Sequence, residues 1–429
     1  MQERIAGLTR RDFAKLTAAG VGGAAVSGWF NILAARASQQ QAQGRPAPRK
    51  RCILLWMDGG PSHKDTFDLK PGTDNGGPYR QIQTAVNGIQ ISEHFPQLAR
   101  QFRDGVIIRS MSTGEGAHGR AKYFLHTGYR EGVGGLVYPS IGSIASMEIG
   151  NQDSPLPNFV TVGNRAYGSG FLGARHQPLI VTRPDRGVEN LRPYVENNQF
   201  DNRVNLLEEL EQGFNREFRT PVGTAHSTTY QRAVTLMRDE GSRAFDLTQE
   251  TEATKRRYGN STFGEGCLLA RRLVESGVSF VEVSLGGWDT HNTNFERVRR
   301  LSEQVDPAMS ALISDLRDRS LLDDTLVIWM GDFGRTPRIN TRSPQPGRDH
   351  YPRAWSSVMF GGGINGGQVY GSTDAEGATV TENPVNTLTF MATVCRTLGI
   401  DYTKFNQSPI GRPIRIVDRG GEHIRDIIG

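Results

Sequence analysis

The sequence predicts an α/β protein, a three-layer α/β/α sandwich with a mostly parallel central sheet covered by helices on both faces. Three observations lead there. Continuous apolar runs of strand length recur along the chain, as expected of strands buried on both faces. Helical or loop segments separate them, which is the pattern of parallel connections. Several runs end in glycine, aspartate or histidine, where open α/β sheets gather their ligands.

The first 37 residues stand outside that pattern and read as a twin-arginine signal peptide. Arg10-Arg11 is followed by Phe13 and Lys15, then by a weakly apolar stretch from Leu16 to Leu33 diluted with glycine, then by Ala35-Arg36-Ala37, a small-x-small cleavage site. A spanning helix wants about 20 predominantly apolar residues, so no stable membrane anchor is expected. The address implies passage through the twin-arginine export machinery and a periplasmic or secreted bacterial protein. Folded export suits a protein that takes up a metal before crossing.

The formal charge of the 429 residues is +5. The leader holds Arg4, Arg10, Arg11, Lys15 and Arg36 against Glu3 and Asp12, which leaves +2 for the mature chain and implies no nucleic acid partner. Cys52, Cys267 and Cys395 are odd in number and lie in apolar surroundings, so they read as core residues and not as a disulfide framework.

Residues 38–50, rich in Gln, Pro and Arg, read as a linker, and one large domain follows from 51 to 429. The runs expected as strands are Cys52–Met57, Gly105–Arg109, Asn158–Val162, Val278–Leu285, Thr325–Met330 and Ser356–Phe360. Between about 184 and 258 the composition turns charged and amphipathic, as in Val204–Leu210, and predicts a helical insertion beside the sheet that caps the site. Pro384 to Leu398 predicts a late helix stopped by Gly399.

The residues that carry chemistry follow these runs. Asp58 ends the first, Asp289 and His291 lie in the segment Gly286–His291 after another, and Asp332 ends a third, with Asp349-His350 beyond a Pro- and Gly-rich loop. Each aspartate alone has a plain use as an Asx turn or helix cap. Their joint appearance with histidines at successive strand ends points to a metal site, since caps need no imidazole partner. Carboxylate and imidazole together suit zinc, manganese or iron and are less apt for calcium.

The segments Met57–Asp68, Gly287–Asn292, Gly331–Pro337 and Gly347–Pro352 resemble the hallmark segments of the bacterial domain of unknown function 1501 family, in order and over nearly the whole mature chain. That family is grouped with the alkaline phosphatase and sulfatase superfamily and has no assigned activity of its own. The resemblance implies an alkaline phosphatase-like fold and one or two divalent metal ions (zinc, manganese, iron or calcium) at the carboxyl ends of the strands. It implies Asp58, Asp289, His291, Asp332 and His350 as metal ligands, with Asp349 behind them.

Three departures qualify it. Phe333 stands where phosphatases and sulfatases have a histidine, and the spacing from Asp289 to His291 is shorter than usual. The stretch His118–Arg130 resembles the sulfatase nucleophile segment but puts His118 at the nucleophile. His118 has three readings there: direct attack, general acid or base, or a metal ligand compensating for Phe333. In the last, water activated by the ion would attack, and Arg120 or Lys122 would clamp an anionic ester, whether small molecule or glycan. Ser112 and Thr113 remain hydroxyl alternatives, while His63, His126 and His176 read as structural or rim residues.

The expected function is an exported metal-dependent hydrolase of phosphate or sulfate esters. The alternative is a non-catalytic exported binding or scaffold protein that keeps the fold.

Overall fold

Apolar residues on both faces of a strand require helices above and below it, and this requirement organises the protein. The computed structural model describes residues 49–164, 166–218 and 221–428. The segment expected as a signal peptide and nearly all of the expected linker lie outside the described residues.

Eight strands are named in chain order: β1 (Arg51–Met57), β2 (Gly105–Ser112), β3 (Phe159–Val162), β4 (Leu179–Val181), β5 (Phe280–Leu285), β6 (Thr325–Gly331), β7 (Trp355–Gly361) and β8 (Gln368–Tyr370). They lie in the order β8-β2-β7-β6-β1-β5-β3-β4, and the short strand Val385–Asn386 also pairs with β2 to complete a nine-stranded sheet. All pairings are parallel except those of β7, which runs antiparallel to both β2 and β6. Each predicted run is a strand. The sequence could not show the reversal of β7, because a buried strand has the same composition in either direction.

The longer helices are α1 (His118–Thr127), α2 (Ile141–Glu148), α3 (Asn197–Phe218), α4 (Pro221–Arg238), α5 (Thr262–Glu275), α6 (Asn294–Asp318) and α7 (Thr387–Thr397). The late helix begins three residues after Pro384, because Val385–Asn386 pairs with β2 and the Asn386 side chain caps the first turn by accepting from the Thr389 amide. Alternation along β1 sorts the layers. Ile53, Leu55 and Met57 pack with residues of α5 and α6, whereas Cys52, Leu54 and Trp56 pack with residues of α2 and α7. Leu55 is fully buried, and cutting it to alanine would cost about 2–5 kcal/mol. The three cysteines are buried and free.

β1 lies between β6 and β5, so Asp58, Asp332 and the segment leading to Asp289 leave the sheet at one edge from three adjacent strands. Because β7 is reversed, its start lies at that same edge. His350, just upstream of it, therefore comes from the opposite chain direction to the same place.

Candidate metal centre

Three strand ends can converge only if the backbone between them is slim. Gly59 and Gly60 follow Asp58 with φ of +112° and +79°, where side chains are strained. A Cβ on Gly59 would lie 2.4 Å from the Asp289 backbone nitrogen, and one on Gly60 would lie 2.5 Å from the Phe333 carbonyl oxygen.

Arg335, fully buried, ties the turn together: its Nε donates to the Gly60 carbonyl at 2.9 Å, and its Nη2 donates to the Gly59 carbonyl and to Asp289 Oδ1, the latter at 2.7 Å. Burial alone would raise the Asp289 carboxyl. The hydrogen bond and charge of Arg335, with the charges of His118 and His291, outweigh it and bring the carboxyl down to about 2. Asp289 is a carboxylate at any ordinary pH.

Three imidazoles surround that carboxylate. His350 Nε2 is 3.3 Å and His291 Nε2 3.2 Å from Asp289 Oδ1, and His118 Nε2 is 3.5 Å from Asp289 Oδ2. Behind each ring, Nδ1 faces an acceptor. His118 Nδ1 donates to Asp332 Oδ2 at 2.5 Å, His291 Nδ1 to Asp349 Oδ1 at 2.8 Å, and His350 Nδ1 to the Gly116 carbonyl at 2.8 Å. An acceptor behind Nδ1 holds a proton on that nitrogen, so Nε2 is the nitrogen that each ring would offer to a metal. Three Nε2 atoms therefore face one carboxylate.

His291 and His350 bring their Nε2 atoms within 3.0 Å of each other. At that distance either one nitrogen carries a proton and donates to the other, or both face a cation. His118 Nε2 is buried without a hydrogen-bond partner among the described residues. His118, Asp289 and His350 each offer a ligand atom, all within 4.8 Å of one another. Burial, with the nearby charges of Arg335 and His118, lowers the His350 pKa despite the Gly116 carbonyl, and so keeps this ring in the ligating form. The donor set fits a divalent transition metal.

The other expected site residues adjoin this cluster. Asp332 is fully buried and reaches it through His118, while its Oδ1 accepts from the Gly59 amide at 3.3 Å. Asp58 Oδ1 accepts from Lys122 Nζ at 2.5 Å and from the Trp56 indole at 3.3 Å. Lys122 Nζ is also 3.9 Å from Asp332 Oδ2. Arg120 is exposed and donates from Nε to Glu115 at 2.9 Å, so its charge is already matched. Asp349 sits behind His291 and is held on its outer side by Arg342 at 2.6 Å.

Phe333, fully buried, is a wall. Its ring centre is 4.9 Å from that of His118 and 4.8 Å from that of His350. His118 thus stacks on the phenylalanine that stands where the superfamily's histidine was expected.

Two features escaped the sequence. The Gly116 carbonyl that orients His350 is backbone and leaves no side-chain signal. The pair His126 and Glu282, joined at 3.3 Å with both side chains buried, was signalled only by the spacing His118, Lys122, His126 along one face of α1.

The family model for DUF1501, described as a protein of unknown function, matches residues 49–428. A comparison with curated proteins finds no match. Similar solved structures include the PsFucS1 sulfatase from Pseudoalteromonas sp., at 12% identity over 85% of this chain and 70% of that one, with a TM-score of 0.41. They also include a protein in the alkaline phosphatase superfamily from Vibrio parahaemolyticus, at 11% identity over 82% and 67%, TM-score 0.38. A third is the alkaline phosphatase from the Antarctic bacterium TAB5, at 13% identity over 76% and 95%, TM-score 0.35.

Proposed function

Because the chain belongs to the DUF1501 family, whose function is unknown, its chemistry has to come from its own residues, and we propose an exported metal-dependent hydrolase of phosphate or sulfate esters. The observation that carries this reading is the convergence of His118, His291 and His350 Nε2 on Asp289, each ring oriented from behind by an acceptor. These four residues would hold the ion. A divalent ion there supplies positive charge that polarises the ester and makes water a stronger acid.

The chain's own part is positional. Asp332, Asp349 and the Gly116 carbonyl keep the three rings in their ligating tautomers, and Arg335 keeps Asp289 ionised and aimed. Lys122, the partly exposed cation beside Asp58, meets the anionic oxygens of the ester. Water adds to phosphorus or sulfur and the bond to the ester oxygen breaks. The alcohol leaves with a proton, and the oxyanion product keeps the water oxygen.

A specific observation favours the second reading, a non-catalytic binding or scaffold protein. Arg120 and Lys122 are both matched by carboxylates, Glu115 and Asp58. The test is turnover of 4-nitrophenyl phosphate and 4-nitrophenyl sulfate by the mature protein with its metal content measured. Hydrolysis of one ester, lost on chelation and restored by a divalent metal, is expected. Failure of metal-replete protein to turn over either ester would leave the binding reading.

A further inference from the structure

Beside the metal cluster, on the far side of Asp58 and Lys122, lies a cleft of about 410 Å³. That is within the size range of small-molecule pockets, roughly 300–1,000 Å³. Its walls come from the ends of β1 and β5, from α1 and from the loop after β3, so it opens at the same sheet edge as the histidines. Glu282 lines it and is 2% exposed. One of its oxygens, Oε1, pairs with His126 Nε2 at 3.3 Å, while the other, Oε2, is buried with no hydrogen-bond partner among the described residues. A buried carboxylate oxygen without a donor is costly unless something entering the cleft supplies one.

The rest of the lining says what kind of donor. Asn164 and Ser284 bring an amide and a hydroxyl, and the half-buried Tyr167 brings a ring face, braced by His126 with ring centres 5.2 Å apart. Two carboxylates, Asp58 and Glu282, are balanced by two cations, Lys122 and His126, in direct pairs. Burial would lower the His126 pKa, but the charge and hydrogen bond of Glu282 raise it overall, which favours the imidazolium. A lining with no net charge does not select an ammonium group. An unpaired acceptor, an amide, a hydroxyl and an aromatic face suit a neutral ring bearing several hydroxyl groups.

We propose that this cleft holds the alcohol portion of the ester as a neutral polyhydroxylated ring, with one hydroxyl donating to Glu282 Oε2 and the ring lying against Tyr167. The assignment rests on the hydrolase reading for its role, but its ligand can be tested without turnover.

The experiment has two parts on the metal-replete mature protein. In the first, saturation-transfer NMR is recorded with glucose, with myo-inositol and with choline. Ring-proton signals are expected from the two polyols and none from choline, and they should fall about tenfold in both Glu282→Gln and Tyr167→Ala, as for loss of a buried hydrogen-bond partner. Absence of polyol signals, signals that persist in both variants, or binding of choline in their place would overturn the assignment. Tyr167 is half-buried, so its variant remains informative if Glu282→Gln fails to fold.

In the second part, kcat/KM for glucose 6-phosphate and glucose 6-sulfate is compared with that for the matching 4-nitrophenyl ester. The sugar-to-aryl ratio should fall about tenfold in both variants. An unchanged ratio with sustained turnover would sink the cleft and spare the hydrolase. Polyol binding in a protein that turns over no ester would spare the cleft and sink the hydrolase.

Discussion

Lys122 Nζ lies 2.5 Å from Asp58 Oδ1, one turn of α1 beyond the pair His118 and Asp332 and one turn before the pair His126 and Glu282. Residues four apart on a helix share a face. The three carboxylates come from the adjacent strands β6, β1 and β5, two from just past the strand ends and Glu282 from within β5, so a single helix face is zipped across three strands. Lys122→Met breaks the middle rung. Both side chains are partly solvated, so the stability loss should stay within about 1 kcal/mol. If Lys122 meets the ester oxygens, kcat/KM should instead fall at least about tenfold, that is by more than about 1.4 kcal/mol. Equal changes in stability and activity, read by thermal melts and initial rates, would make the lysine merely structural.

Asp332→Asn tests the orienting role of the buried carboxylate behind His118. The asparagine keeps the shape but no longer enforces the tautomer that frees Nε2. Metal affinity, measured by competition with a chromogenic chelator, should drop about 10- to 100-fold. Unchanged affinity would remove His118 from the metal set. A double His118→Ala, His350→Ala variant should retain almost no metal by elemental analysis.

His118 should carry no covalent phosphate. Its Nδ1 is committed to Asp332 and its Nε2 faces Asp289, so neither nitrogen is free to attack once an ion sits in the cluster. An alkaline quench during 4-nitrophenyl phosphate turnover, followed by intact mass spectrometry, should show unmodified protein. A phosphohistidine at His118 would restore direct attack.

The His126 and Glu282 pair makes a prediction about pH. The folded His126 pKa lies above its ordinary value, so the stability it contributes is present below about pH 6.5 and is lost as pH rises through the folded pKa. His126→Gln leaves Glu282 buried without its charge partner, which costs about 3–5 kcal/mol. The difference in Tm between wild type and variant should be widest in the acid range and narrow on the alkaline side. A gap that stays constant across that range would mean that His126 is neutral in the folded protein.

Export should depend on Arg10-Arg11. With both replaced by lysine, mature protein should vanish from the periplasmic fraction. Normal periplasmic yield of a chain cleaved after Ala37 would discard the twin-arginine reading.

By itself the sequence determined the buried strands and the residues at their ends. Runs such as Cys52–Met57 and Thr325–Met330 have no polar face, so helices must cover both sides, and Asp58, Asp289, His291, Asp332 and His350 stand beside runs that leave no room for them inside. Tertiary structure alone decided which of these residues meet. The strand order sets β1 between β6 and β5, the reversal of β7 carries His350 to the same edge, and neither follows from composition, because pairing and direction depend on packing between distant segments. It also decided the division of labour among the aspartates. Asp289 faces three Nε2 atoms, Asp332 sits behind one ring, and Asp58 is engaged by Lys122. These roles are set by distances of a few ångströms and by backbone acceptors such as Gly116, which a linear string of side chains does not encode.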